Sequence, residues 1–186
     1  MADRDNRHGV VASAAPGGKP AEASRRARQE CGDIGLKIAR DGTWYYQGSP
    51  IGRKTLVKLF ASVLTLDEDG KYYLVTPAEK VLIAVEESPF LAVAMEAEGK
   101  GEGQVLRFRT NLDEVVAAGP DRPLLFRAET DQSFTPFILV RDRLKARLIR
   151  PVYYDLIAAA AEKEGRLGVW SGGVFFPFPA GEETSL

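Results

Sequence analysis

The stretch from Val81 to Asp142 constrains the fold more than any other part of the chain, because it consists almost entirely of strand-length apolar runs joined by short turns. In order they are "VLIAVEESPFLAVAMEAEG", "GQVLRFRT", "RPLLFRAE" and "TPFILVRD". The connections are too short for crossover helices, so the strands are expected to fold back on one another in a largely antiparallel sheet. The first run should reverse at Glu87 to Pro89, and the glycine-rich "GKGEG" should turn the chain into the next. Within "QVLRFRTN", Arg107 and Arg109 alternate with Leu106 and Phe108; within "RLKARLIR", Arg143, Lys145 and Arg147 alternate with Leu144, Ala146 and Leu148. A period of two puts each apolar set on one face of its strand and each cation set on the other.

Two helical segments flank this centre. Upstream, "IGLKIARDGTWYYQGSPI" places apolar and aromatic residues on both sides of Asp41-Gly42, a dipeptide suited to a tight hairpin. "GRKTLVKLFASVL" then spaces Leu56, Leu59, Phe60, Val63 and Leu64 as one helical stripe with Lys54 and Lys58 outside it. After an acidic turn and a strand from Lys71 to Val75, Thr76, Pro77 and Glu79 have capping-box spacing and predict one helical turn. Downstream, a helix is expected to start at Pro151, bury Val152, Leu156, Ile157 and Ala160, and stop before Gly165. "LGVWSGGVFFPF" closes the chain as two runs around Gly172-Gly173. The segments beginning Arg40-Asp41 and Arg141-Asp142 both run strand, helix, glycine, strand, and a duplicated hairpin-helix-strand unit is the economical reading. The fold class is therefore α+β. The expected divisions are a disordered lead over 1–30, domains over 31–98 and 99–179, and a tail over 180–186.

Lysines and arginines number 25 against 26 acids, so no global field favours nucleic acid or a membrane, and any anion site must be local. No run approaches the roughly 18 apolar residues of a membrane span. Cys31 is the only cysteine, which excludes an intrachain disulfide and fits a reducing cytoplasm.

The residue chemistry excludes more than it assigns. His8 is the only histidine and lies in the lead, so Ser-His-Asp and Cys-His catalysis and histidine-ligated metal sites lack a necessary part. Ser171 has Val169 where a nucleophile elbow needs glycine, and "SGG" between apolar runs reads as a turn. No phosphate loop occurs. Glu86-Glu87 is the most interesting acid pair, but adjacent strand residues point to opposite faces and cannot converge on one bond. "TWYYQG" and "KYYLV" offer a faint likeness to the aromatic faces of RNA-binding sheets. The strand arginines remain. They either pair with acids such as those of "MEAEG" or bind an anion, since guanidinium forks match phosphate and carboxylate.

The blocks "DGTWYYQGSPIGR", "YYLVTPAEK", "VEESPFLAV", "LRFRTNLDE", "VRDRLKARLIRPVYYDL" and "GVWSGGVFFPF" occur in the order and spacing of domain-of-unknown-function family 1285, a bacterial family. The chain resembles that family from about Asp33 to Phe178. The resemblance implies two α+β domains with a duplicated core, a C-terminal half similar to pleckstrin-homology folds, and a nucleotide-like ligand at the domain interface in stress-related signal transduction. Matching polar positions are Arg53, Glu79, Lys80, Glu86, Arg109, Thr110 and Asn111, to which Arg141, Arg150, Tyr154 and Ser171 are added. Asp142-Arg143 departs from the small turn residues of relatives and places Arg143 in a hairpin turn. The combined expectation is a non-catalytic protein that senses an anionic small molecule and signals to a protein partner, with no cofactor or metal. Its ligand residues are Arg53, Lys80, Glu86, Arg107, Arg109, Asn111, Arg141, Lys145, Arg147, Arg150, Tyr154 and Ser171. Two alternatives stay open: a hydrolase of phosphorylated or glycosylated small molecules using carboxylate and arginine chemistry, and an RNA or protein interaction module.

Overall fold

Asp41-Gly42 turns the chain as its residue types require. Gly42 takes φ +82°, and Asp41 Oδ1 accepts the Thr43 N–H at 2.9 Å. The structure, a computed structural model, describes residues 29–129 and 133–179. In chain order these form β1 (Gln29–Cys31), β2 (Leu36–Ile38), β3 (Trp44–Tyr46), β4 (Ser49–Pro50), α1 (Lys54–Ser62), β5 (Leu64–Leu66), β6 (Tyr72–Val75) and β7 (Glu79–Val85). There follow β8 (Phe90–Glu98), β9 (Val105–Thr110), β10 (Val115–Ala117), β11 (Leu124–Ala128), β12 (Phe134–Arg141), β13 (Leu144–Leu148), α2 (Arg150–Ala158), β14 (Ala161–Lys163), β15 (Arg166–Ser171) and β16 (Val174–Pro177).

The α+β expectation holds: the described chain is mostly sheet with two short helices. The first sheet runs β4-β3-β2-β7-β6-β5, with β1 also paired to β7; the second runs β10-β9-β8-β13-β12-β11; the third is β14-β15-β16. Pairing is antiparallel except for β1 and β2 with β7, and β13 with β8. One continuous apolar core joins the halves, from Ile38, Trp44 and Ile83 through Phe90, Phe108 and Ile138 to Leu156 and Val169.

Several expectations are corrected. The run through Glu87 to Pro89 is not a hairpin, because β7 belongs to the first sheet and β8 to the second. Ser88 is buried at the crossing and donates to the Lys145 carbonyl at 2.7 Å, which commits the chain to the second sheet. The first and second sheets thus meet in the chain near Ser88. Thr76 to Glu79 forms the capping contact, the Glu79 N–H donating to Thr76 Oγ1 at 3.0 Å, but in a turn between β6 and β7 and not in a helix. α1 buries Val57 and Ala61, whereas Leu59 is exposed and Leu64 starts β5. Helix α2 stops at Ala158, Ile157 is exposed, and Ala161 begins a strand whose hairpin turns at Glu164-Gly165, both with positive φ. The expected lead overlaps β1 at Gln29 and Glu30. The rest of that lead with His8, and the tail over 180–186, lie outside the described residues.

Candidate functional site

The junction between the halves carries two groups of charged side chains. The first centres on Glu87, whose side chain is only 9% exposed where the chain leaves β7. Arg127 Nη2 donates to Glu87 Oε1 at 2.9 Å and Arg40 Nε donates to Oε2 at 2.9 Å. Arg147 Nε lies 3.1 Å from Oε2 as an ion pair without hydrogen-bond alignment, while its Nη2 donates to the Arg40 carbonyl at 3.1 Å. Burial pushes the Glu87 carboxyl up, but the Arg127 hydrogen bond and the charges of Arg147, Arg40 and Arg127 outweigh it and leave the pKa below the ordinary value. Lys145 stands beside this group with Nζ 4.3 Å from the centre of the Phe137 ring, and Arg127 covers the same ring at 5.3 Å. Glu86 turns the other way. Its carboxylate pairs with Lys37 and accepts the Arg40 N–H at 2.7 Å, and these two hydrogen bonds, Lys37 first, hold its pKa below the ordinary value. Among the described residues, the junction sets Lys37, Arg40, Arg127, Lys145 and Arg147 against Glu86, Glu87 and Glu129.

The second group borders a cavity of about 300 Å³ between α1 and the second sheet, with Lys58, Ser62, Phe90, Glu114 and Arg141 on its wall. Arg141 pairs with Glu114, donates to the Ala61 carbonyl at 2.7 Å and lies over the Phe90 ring at 5.1 Å. It thereby satisfies a carbonyl at the C-terminal end of α1, where a cation is favoured. Asp113, at φ +67°, accepts from Lys54 at 2.9 Å and pairs with Lys58 at 2.8 Å. Hydrogen bonds from Lys58 and Lys54 hold its carboxyl at about 2. Asn111 completes the seam by exchanging two hydrogen bonds with the Leu91 backbone, against the Gly42 hairpin tip.

The remaining expected site residues do not join these groups. Arg107 is paired with Glu98 of "MEAEG" at 2.6 Å. Arg109 makes no side-chain hydrogen bond or ion pair among the described residues. Strand β8 runs between β9 and β13, and register sets Arg107 opposite Glu96 but Arg147 opposite Leu91, so the two cation sets are separated along it. Lys80 pairs with Asp67 at 2.7 Å over the Tyr73 ring. Arg53 is exposed at the start of α1. Arg150 donates to Tyr154 Oη at 3.2 Å on exposed α2 surface, and that bond raises its pKa. Ser171 is fully buried, donating to the Ala118 carbonyl at 2.8 Å and accepting the Leu106 N–H at 2.9 Å, so its hydroxyl joins the third sheet to the second.

Sequence reasoning missed Arg40, Glu87, Arg127, Lys54, Lys58 and Asp113 as members of the junction. The adjacent Glu86-Glu87 pair was the available signal, but strand-end acids can be met by water as well as by cations, so it could not name the distant residues that meet Glu87. Among the described residues, no group of His, Cys, Asp or Glu is placed to hold a metal ion, and no helix is long and apolar enough to cross a membrane.

Two antiparallel-rich sheets seamed by paired charges around a common core define a two-domain α+β protein. The chain belongs to the DUF1285 family. The profile of its N-terminal domain, a domain of unknown function, matches residues 24–88, and that of its C-terminal domain matches 89–178. The chain is similar to the crystal structure of a DUF1285 family protein from Silicibacter pomeroyi DSS-3, with 39% identity over 91% of this chain and 92% of that one and a TM-score of 0.79. It is also similar to a DUF1285 family protein from Shewanella baltica OS155, with 26% identity over 67% of this chain and 91% of that one and a TM-score of 0.53. No match is found among functionally curated proteins.

Proposed function

We propose that the protein is a non-catalytic binding protein that takes a small phosphate-bearing anion, of nucleotide type, at the junction of its two halves and passes the change in their packing to a protein partner. The observation that carries this reading is the Glu87 group, in which three guanidinium groups meet one nearly buried carboxylate. A phosphate beside Arg127 and Lys145, which lie over the same Phe137 ring, would meet a guanidinium and an ammonium together. The hydrolase alternative is weakened by the same geometry: Glu86 and Glu87 are both held below their ordinary pKa, so both stay ionised at neutral pH and neither is poised as a general acid. The cytoplasmic placement rests on the single Cys31.

Thermal-shift titration with inorganic phosphate, nucleoside monophosphates and sugar phosphates tests this reading. A ligand at 100 times its Kd adds about 2.7 kcal/mol of stability. Arg127→Ala and Lys145→Ala should abolish the gain, whereas Arg107→Ala should not. Absence of stabilisation by every compound at millimolar concentration overturns it.

A second reading, a single-stranded nucleic-acid module, has one observation in its favour. Lys163 Nζ lies 4.8 Å over the Trp170 ring and 6.0 Å over Phe175, beside Arg166 in an open concavity on the third sheet. RNA binding that weakens steeply with salt and is lost in Trp170→Ala would support it.

We also propose that the halves descend from one duplicated unit. Each runs hairpin, nine-residue helix, three-stranded meander: β2, β3, α1 and β5 to β7, then β12, β13, α2 and β14 to β16. The pleckstrin-homology likeness of the C-terminal half is proposed on its antiparallel strands and the packing of α2 on β8.

A further inference from the structure

The N-terminal half contains a cavity of about 470 Å³ between α1 and the first sheet. Leu56, Phe60 and Val63 wall it on the helix side, and Leu36, Leu74 and Val81 on the sheet side. The volume falls within the roughly 300–1,000 Å³ typical of small-molecule pockets. α1 buries only Val57 and Ala61 completely, so the larger side chains of Leu56 and Phe60 border the cavity half-covered. Water held against such walls finds few hydrogen-bond partners, and an apolar molecule that displaces it gains.

The rim limits what that molecule can be. Its polar residues are Tyr46, Thr76 and Glu79, and among the described residues no lysine, arginine or histidine lines the cavity. Thr76 accepts the Glu79 N–H and donates its own N–H to the Glu79 carbonyl, which fixes the Glu79 backbone at the mouth. Among the described residues that line it, the exposed Glu79 carboxylate is the single formal charge. A fatty acid would set its carboxylate against it. An ammonium group would find a partner.

The chain's own N-terminal segment is a poor occupant. It enters through β1, whose backbone pairs with Glu79 to Val81 along the rim. Yet residues 1–28 contain no Leu, Ile, Phe, Trp or Tyr, and their large apolar side chains are only Met1, Val10 and Val11. We propose that this cavity is a binding site for a small amphiphilic amine, its aliphatic or aromatic body between α1 and the sheet and its ammonium on Glu79. The site is separate from the charged junction, so either assignment can fail without the other.

Phe60 supplies a local reporter, because its ring stacks on Trp44 with centroids 6.4 Å apart. In the full chain carrying Trp170→Phe, Trp44 is the only remaining tryptophan. Decylamine, decanol and decanoate, each below its micelle concentration, are titrated while Trp44 emission is followed. Decylamine should saturate at least about tenfold more tightly than decanoate, the scale of one favourable against one repulsive charge contact at a partly screened rim. Glu79→Gln, at an exposed position, should erase that preference and leave decanol unchanged. Three results would overturn the proposal: no saturable response to decylamine, decanoate binding as tightly as decylamine, or at least tenfold tighter decylamine binding in the Val10→Asp/Val11→Asp double variant. The last would assign the cavity to the chain's own N-terminal segment.

Discussion

Ser171 shows how a residue can carry the signature of chemistry and serve packing. Its hydroxyl donates to Ala118 O and accepts from Leu106 N–H in a fully buried position, so both hydrogen-bonding capacities are used within the protein. Ser171→Ala leaves a buried donor and a buried acceptor without partners and should cost about 2 kcal/mol, read from the urea midpoint. A shift below half a kcal/mol would show that water replaces the hydroxyl. Strand parity made part of this scale legible. Leu106 and Phe108 are buried and Arg107 and Arg109 exposed, as period two requires. The partners were not legible: the acid that neutralises Arg147 is Glu87, distant in sequence.

Local signals described the elements well where they concerned turns, and less well where packing overrode propensity. The Asp41-Gly42 and Gly172-Gly173 hairpins form as the residue types dictate. The alanine-rich end of α2 could continue as helix, but Ala161 to Lys163 pair with Arg166 to Gly168, and a hairpin prevails over propensity. The next hairpin, β15 with β16, depends on Gly168. A Cβ there would lie 2.4 Å from the Phe176 carbonyl oxygen and 2.7 Å from the Phe175 ring. Gly168→Ala should therefore overpack β15 against β16 and cost about 3 kcal/mol by thermal or urea unfolding. A neutral result would mean that the strands separate more easily than their register suggests.

At the scale of the whole molecule, the halves are held by a shared core and by side chains that cross the junction, among them Arg141 on Ala61, Arg143 on Asp67, and Lys54 and Lys58 on Asp113. Asp113 makes this seam sensitive to acid. Its carboxyl sits at about 2 in the folded protein against an ordinary 3.8, so its contribution is complete above about pH 4 and is lost as pH falls toward 2. The difference in Tm between the wild type and Asp113→Asn should shrink steadily from pH 5 to pH 2; a constant difference would remove Asp113 from the seam. Local backbone preference and side-chain type made the sheet-rich α+β class, the Asp41-Gly42 and Gly172-Gly173 turns and the faces of the strands legible in the sequence. Tertiary structure alone decided that β7 and β8 belong to different sheets, that Glu87 gathers three arginines, and that α1 stands off the first sheet around a cavity, because each depends on contacts between residues that only the folded chain brings together.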